Sequence, residues 1–181
     1  MRHLFSLLLL FALAACGGSE TLVATPQVKL AEHGKSKFSD IEVIDVSLPV
    51  YAASEAIAIV TEDGLTRSSL LWADDPTRAV TLALTRNLKE ITGARIASEP
   101  WPFDSFPKAR IDVRVEALLV SETALTFSGQ YFVADLEGRG RDHAHLFEII
   151  TKMPDLSASA AARGRAEAVA ILAQRIAKEA L

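Results

Sequence analysis

The chain has 181 residues, of which 50% are hydrophobic and 23% are charged, and its formal net charge is −4 at pH 7. This acidic balance argues against a nucleic acid as a partner, because nucleic-acid-binding domains carry a basic surface. The length and the content of Val, Ile and Leu suit one domain with its own hydrophobic core.

The N-terminus is typical of a signal peptide. Arg2 and His3 precede an apolar run over residues 4–15, and Cys16 follows this run directly. As a helix the run would extend about 18 Å, which is too short to cross roughly 30 Å of bilayer hydrocarbon. Residues 1–15 are therefore predicted to be a cleaved leader. The preceding Leu-Ala-Ala together with Cys16 resembles the bacterial lipobox, which implies that this cysteine receives a covalent lipid.

A lipid on Cys16 determines where the protein is expected to work. Two or three acyl chains hold a protein durably on a membrane, because each buried methylene contributes about 0.8 kcal/mol. Gly17 follows the cysteine, whereas an Asp at this position favours the inner membrane in many Gram-negative bacteria. The resemblance thus implies the periplasmic face of the outer membrane. Cys16 is the single cysteine of the chain, so an intramolecular disulfide is excluded, and no cofactor besides the lipid is expected.

Residues 16–38 are small and polar without a sustained period, and they are predicted to be a lipidated tether. Leu22 and Val23 are compatible with a short strand inside it. The folded domain is predicted over residues 39–181. Its first part is expected to contain strands at residues 41–48, 56–61, 65–72 and 94–98.

A first helix is predicted between an N-cap at Asp74 or Asp75 and a stop at Gly93. Apolar residues repeat at helical spacing within this segment, so one stripe of the helix should face the core. The residues of this stripe are Val80, Leu84, Leu88 and Ile91.

A proline-rich aromatic loop follows over residues 100–107, and its prolines exclude a central strand. Trp101, Phe103 and Phe106 lie in this loop. Large apolar side chains in a loop either fold back on the core or meet a partner, and both alternatives stay open here. Because Trp and Phe are enriched at partner surfaces, these three residues are candidate partner-binding residues.

The last part of the chain predicts a β-meander and a helix. Residues 110–117 alternate strictly between apolar and charged side chains, which indicates a half-exposed antiparallel strand. Further strands are predicted at residues 125–136 and 141–151. An alanine-rich helix is predicted over residues 157–180, and it is assigned to the core because it lacks the basic stripe of a membrane-binding helix. The predicted fold is a single two-layer α/β domain, with an antiparallel-dominated sheet and two helices on one face.

Several short motifs resemble one protein family when they are taken in order. They include the lipobox, Ile-Glu-Val-x-x-Val-x-Leu-Pro-x-Tyr at residues 41–51, Trp-Ala-Asp-Asp-Pro at residues 72–76, and Pro-Trp-Pro at residues 100–102 ahead of the meander. Together they resemble the PqiC-like ABC-type transport auxiliary lipoproteins that are associated with MCE transport systems. The resemblance covers most of the mature domain.

The resemblance implies a non-enzymatic outer-membrane lipoprotein that acts as periplasmic adaptor in an MCE-type lipid transport or membrane-integrity system. It implies an MCE-domain transport protein as partner and a homo-oligomer that matches the symmetry of ring-forming MCE proteins. Two other functions stay open. One is a structural lipoprotein that assists assembly of an outer-membrane component without a transporter, and the other is a lipid carrier, which needs a cavity.

An enzyme is not predicted from the residue pattern. His143 and His145 share one face of a predicted strand, but Asp142 and Glu148 point to the opposite face, so the spacing supplies no third metal ligand. The chain has no Gly-x-Ser-x-Gly elbow, and residues 138–140 lack the lysine and the strand-to-helix context of a phosphate loop. Neither a metal site nor a catalytic residue is expected.

Overall fold

The computed structural model describes residues 21–30, 34–138 and 140–181. The predicted signal peptide and Cys16 lie outside these residues. Among the described residues the strands and helices are β1 (Thr21–Val23), β2 (Asp40–Val43), β3 (Ala56–Thr61), β4 (Gly64–Trp72), α1 (Pro76–Thr92), β5 (Arg95–Ser98), β6 (Ala109–Val120), β7 (Ala124–Asp135), β8 (His143–Lys152) and α2 (Ala158–Glu179). Neither α1 nor α2 combines the length and the apolar character that a membrane-crossing helix needs.

Strand β6 organises the sheet because both of its edges are used. Along one edge it pairs antiparallel with β7 over its whole length, and β7 pairs antiparallel with β8. On the other edge, β2 runs parallel to the first residues of β6, and β3 meets its last residue, Val120. Strand β5 extends the β2 branch, whereas β4 and then β1 extend the β3 branch. Two short branches thus share one edge of β6.

The prediction of one α/β sheet with two helices is confirmed, but the prediction that antiparallel pairs dominate the sheet is wrong. Four of the seven strand pairings among the described residues are parallel: β1 with β4, β2 with β5, β2 with β6, and β3 with β6. Parallel neighbours require a crossover connection. Here the connection contains α1. After this helix the chain returns to the sheet as β5, which pairs with β2 and runs in the same direction as β2.

Helix α1 begins and ends where the residue pattern predicts. The carboxylate of Asp75, the N-cap, accepts a hydrogen bond from the backbone N–H of Arg78 at 2.8 Å. Gly93 ends the helix in the left-handed region, with φ of 69°, which a residue without Cβ adopts at little steric cost. The predicted apolar stripe is confirmed as buried, at Val80, Leu84, Leu88 and Ile91.

The core lies between the two helices and one face of the sheet. The helices pack against each other, and α2 also packs on β7 and β8. The contact is close at Gly164, whose carbonyl accepts a hydrogen bond from the Thr151 hydroxyl at 3.1 Å. The largest fully buried side chains include Ile111, Phe127 and Tyr131 from the sheet and Leu84, Leu172 and Ile176 from the helices.

Part of the predicted tether packs on the domain. Strand β1 pairs with β4, and Val23, Leu30 and Phe38 are buried in the core. The backbone N–H of Lys37 donates to the carbonyl of Leu181 at 2.7 Å, which joins this segment to the C-terminus. The expected boundary at residue 39 therefore lies inside the packed structure, because the side chains before it complete the core.

Candidate partner-binding site

The residues that the structure describes leave the sheet face opposite the helices open. Strand β6 places its charged side chains there and its apolar side chains in the core, as the strict alternation predicts. The charged residues of this face are Arg110, Asp112, Arg114 and Glu116. Strand β8 adds two exposed apolar side chains, Leu146 and Ile150. The open face therefore combines charges of both signs with apolar area.

Two ion pairs lie at the β2 and β5 end of this face. Arg110 Nε donates to the Glu42 carboxylate at 2.8 Å, and Arg95 pairs with the Asp40 carboxylate. Both carboxylates are largely buried, which is tolerable because each is paired. The Ser39 hydroxyl also donates to Asp40, and this bond together with Arg95 holds the pKa of Asp40 below its usual value.

The aromatic loop is held together by internal contacts and by Arg95. The rings of Trp101 and Phe103 meet edge to face with centroids 4.9 Å apart, and the indole N–H donates to the carbonyl of Ser105. The Arg95 guanidinium lies 4.8 Å from the centroid of Phe103 and donates to the Ser105 hydroxyl at 2.9 Å. Since Arg95 is paired with Asp40, the loop is attached to the edge of the sheet.

The structure brings Trp101 and Phe103 together and leaves Phe106 apart. Trp101 is half-buried, Phe103 is 40% exposed, and Phe106 is 88% exposed. The next residue, Pro107, is buried, so the loop is anchored directly beside the exposed ring. The geometry distinguishes a supporting residue, Trp101, from a residue that is available for contact, Phe106.

His143 and His145 lie on the helix side of the sheet rather than on the open face. Their rings stack with centroids 5.9 Å apart, and His145 also stacks on Tyr131. The Tyr131 hydroxyl donates to the Glu179 carboxylate, and burial together with this bond raises the pKa of Tyr131. In the part of the chain that the structure describes, no group of three or more His, Cys, Asp or Glu side chains forms a metal site.

The residue pattern alone does not reveal the two ion pairs at the β2 and β5 end of the open face. Asp40 and Arg95 are both first residues of short strands, and Glu42 and Arg110 occupy paired positions on neighbouring strands. Alternating charge at strand starts is a visible signal in the sequence. Which carboxylate pairs with which arginine becomes evident only when the register between β2, β5 and β6 is known.

Comparison with known proteins identifies a family and a shared fold. The sequence matches the family described as ABC-type transport auxiliary lipoprotein component over residues 21–177. The crystal structure of an uncharacterized protein aligns with a TM-score of 0.68 at 20% identity, covering 87% of this chain and 98% of that chain. A protein from Xanthomonas campestris of the family DUF330 aligns with a TM-score of 0.67 at 13% identity, covering 87% and 92%. The search of curated proteins gives no significant match.

Proposed function

We propose that this chain, which belongs to the family of ABC-type transport auxiliary lipoprotein components, is a non-enzymatic periplasmic adaptor of an MCE-type lipid transport or membrane-integrity system. In this proposal a lipid on Cys16 anchors the chain to the outer membrane, and the aromatic loop at residues 100–107 contacts an MCE-domain protein. Membership of the family supports partnership with a transporter. The resemblance of the ordered motifs supports the MCE class of partner and a homo-oligomeric state.

The exposed aromatic loop is the observation that carries the proposal. Covering a fully exposed Phe side chain contributes about 1.5–3 kcal/mol, and Phe106 is 88% exposed. Phe103 lies three residues earlier and keeps part of its ring exposed. Because Trp101 and Arg95 already order this loop, little conformational entropy remains to be lost when a partner binds.

The open sheet face supplies further contact area in the same proposal. The Arg114 guanidinium lies 4.9 Å from the centroid of Phe132, and Leu146 and Ile150 are exposed on β8. Aromatic rings, arginines and aliphatic side chains beside polar groups are the composition found at protein interfaces. This face therefore suits a protein partner or a second copy of the chain.

Capture of a partner from the native cells tests the proposal. An antibody against the full-length chain, used on membranes dissolved in a neutral detergent, should co-purify an MCE-domain protein that mass spectrometry identifies. Phe106→Ala removes the aromatic ring from the contact and should weaken binding by at least about 1.4 kcal/mol. A loss of this size corresponds to about a tenfold reduction of the capture. Val50→Ala is the matched control, since Val50 is 87% exposed and lies outside the loop.

Two results would contradict the proposal. One is the absence of any MCE-domain protein from the captured material. The other is capture of an outer-membrane assembly factor in its place, which would favour the structural lipoprotein that the sequence left open.

The lipid anchor has a separate test. Mass spectrometry of the N-terminal peptide from native membranes should show an acylated Cys16, because the residues before it match the recognition site for lipid attachment. Cys16→Ser should abolish both the lipid labelling and the cleavage at this site. An unmodified Cys16 in native membranes would contradict the anchor.

A further inference from the structure

A cavity lies in the helix layer, away from the open sheet face. It is formed where β1, the segment after β4, α1 and α2 meet, and its volume is about 400 Å³. Its walls are largely aliphatic, with Val23 and Leu82 among them. The charged residues of the lining are Asp74, Arg86 and Arg165.

Arg165 is the unusual member of this lining because it is only 3% exposed. It lies four residues before Val169 and seven before Leu172, so it occupies the buried stripe of α2. Its guanidinium stacks 3.7 Å from the centroid of Trp72, and Nη2 donates to the Thr25 hydroxyl. The other terminal nitrogen, Nη1, is buried and has no hydrogen-bond partner among the described residues.

The described residues leave the charge of Arg165 without a paired anion. The negative charge of Asp74 acts on Arg165, but the Asp74 carboxylate forms its ion pair with Arg78. Burial lowers the pKa of Arg165 to about 10, so the guanidinium is still charged at neutral pH. A buried charge without a counter-charge costs free energy, and an anion in the adjacent cavity would remove this cost.

We propose that the cavity binds an oxyanion of the phosphate class between Arg165 and Arg86. Guanidinium groups hold phosphate oxygens through parallel N–H bonds, and Arg86 is exposed on the cavity wall without a carboxylate partner among the described residues. A phosphate carries more acceptor oxygens than a carboxylate, so both arginines can share it. The aliphatic wall suits the glycerol of a lipid headgroup, and a soluble phosphate ester offers the same oxyanion.

Trp72 provides a direct readout of binding because its ring contacts Arg165. The chain contains two tryptophans, so Trp101→Phe leaves Trp72 as the single emitter. The full-length chain in neutral detergent is titrated with inorganic phosphate, with dihexanoyl phosphatidate, and with dihexanoylglycerol, which lacks the phosphate. Ionic strength is held constant with sodium chloride, since salt screens charge interactions.

The two phosphate compounds should change the emission of Trp72 in a saturable way, and dihexanoylglycerol should not. Phosphatidate that binds about tenfold more tightly than phosphate identifies a lipid headgroup as the ligand, whereas equal affinities identify a soluble phosphate. Both of these results support the oxyanion site. If the emission of Trp72 responds to neither phosphate compound, the proposed oxyanion site is wrong.

Variants separate binding from folding. Arg165→Met should abolish the response, and Arg86→Ala should weaken binding about tenfold while leaving the fold intact, because Arg86 is exposed. Arg163→Ala is the matched control, as an exposed arginine of α2 outside the cavity lining. Equal binding by the Arg86→Ala and Arg163→Ala variants overturns the proposal. The cavity lies beside β1 and the end of β4, whereas the aromatic loop is attached to β5 at the other end of this strand order, so this result is independent of partner capture.

Discussion

Gly129 illustrates how the backbone at one residue restricts the side chain. A Cβ built on Gly129 would lie 2.2 Å from the carbonyl oxygen of Arg114 and 2.9 Å from the Cα of Val115. The register between β6 and β7 shifts directly after Val115. Such bulges increase the local twist and often coincide with a close approach of two backbones, which only a glycine permits here.

Replacing this glycine should separate the two strands. Gly129→Ala is expected to lower the free energy of unfolding by about 1–3 kcal/mol, because the backbone must take up the strain. Urea unfolding measures the change. Gly34→Ala is the control, since a Cβ at Gly34 would meet no atom of the described residues within 4 Å. Equal stability of the two variants would contradict the close approach.

Asp40 links the stability of the chain to pH. Its pKa is lowered in the folded chain from the usual 3.8, so the ionised carboxylate stabilises the fold at pH values above 3.8. This contribution is lost as the pH falls through the lowered pKa. The Tm of the unmodified chain should therefore fall more steeply below about pH 5 than the Tm of Asp40→Asn. Asp45→Asn, at an exposed residue shortly after β2, should follow the unmodified chain, and parallel curves for Asp40→Asn would contradict the account.

The two faces of helix α1 differ in how much they contribute to the stability of the fold. Leu84 is fully buried, whereas Leu82 is exposed on the same helix. Leu84→Ala should lower the free energy of unfolding by about 2–5 kcal/mol, because it removes buried methyl groups and leaves a cavity. Leu82→Ala should cost less than about 1 kcal/mol. Similar losses in urea unfolding would show that the faces of α1 are assigned wrongly.

Most elements could be predicted because their signals are local. The caps and the spacing of apolar residues are enough to locate α1, and strict alternation is enough to locate β6. The strand predicted over residues 41–48 is regular only as far as Val43. Beyond it, the backbone N–H groups of Ile44 and Ser47 still donate to β6. Val43 and Ile44 are two consecutive apolar residues, so the alternation slips between them, and the regular ladder ends at this point.

The candidate site was predictable only in part, because only some of its residues lie close together along the chain. The aromatic residues are visible as a cluster inside one short loop. The two ion pairs at the β2 and β5 end of the open face join residues that are far apart along the chain, 55 positions for Asp40 with Arg95 and 68 for Glu42 with Arg110. Such pairs depend on the register between strands, which a pattern within one strand does not contain.

Whether neighbouring strands of the whole sheet run parallel or antiparallel depends on connections that the residue pattern does not reveal. Hairpin turns join β6, β7 and β8, so their antiparallel order follows from sequence. Strand β2 instead neighbours β5 and β6, after β3, β4 and α1 have intervened in the chain. The result places both helices on one side, and the described residues leave the other side, with the aromatic loop at its edge, uncovered.

Crosslinking from position 106 in living cells tests the adaptor proposal most directly. A photoreactive phenylalanine analogue replaces Phe106 in one strain and Val50 in another, because both positions are highly exposed and Val50 lies outside the loop. After irradiation, mass spectrometry identifies the crosslinked proteins. We expect position 106 to crosslink to an MCE-domain protein and position 50 not to do so. Equal crosslinking from both positions, or none to any MCE-domain protein, would contradict the adaptor proposal.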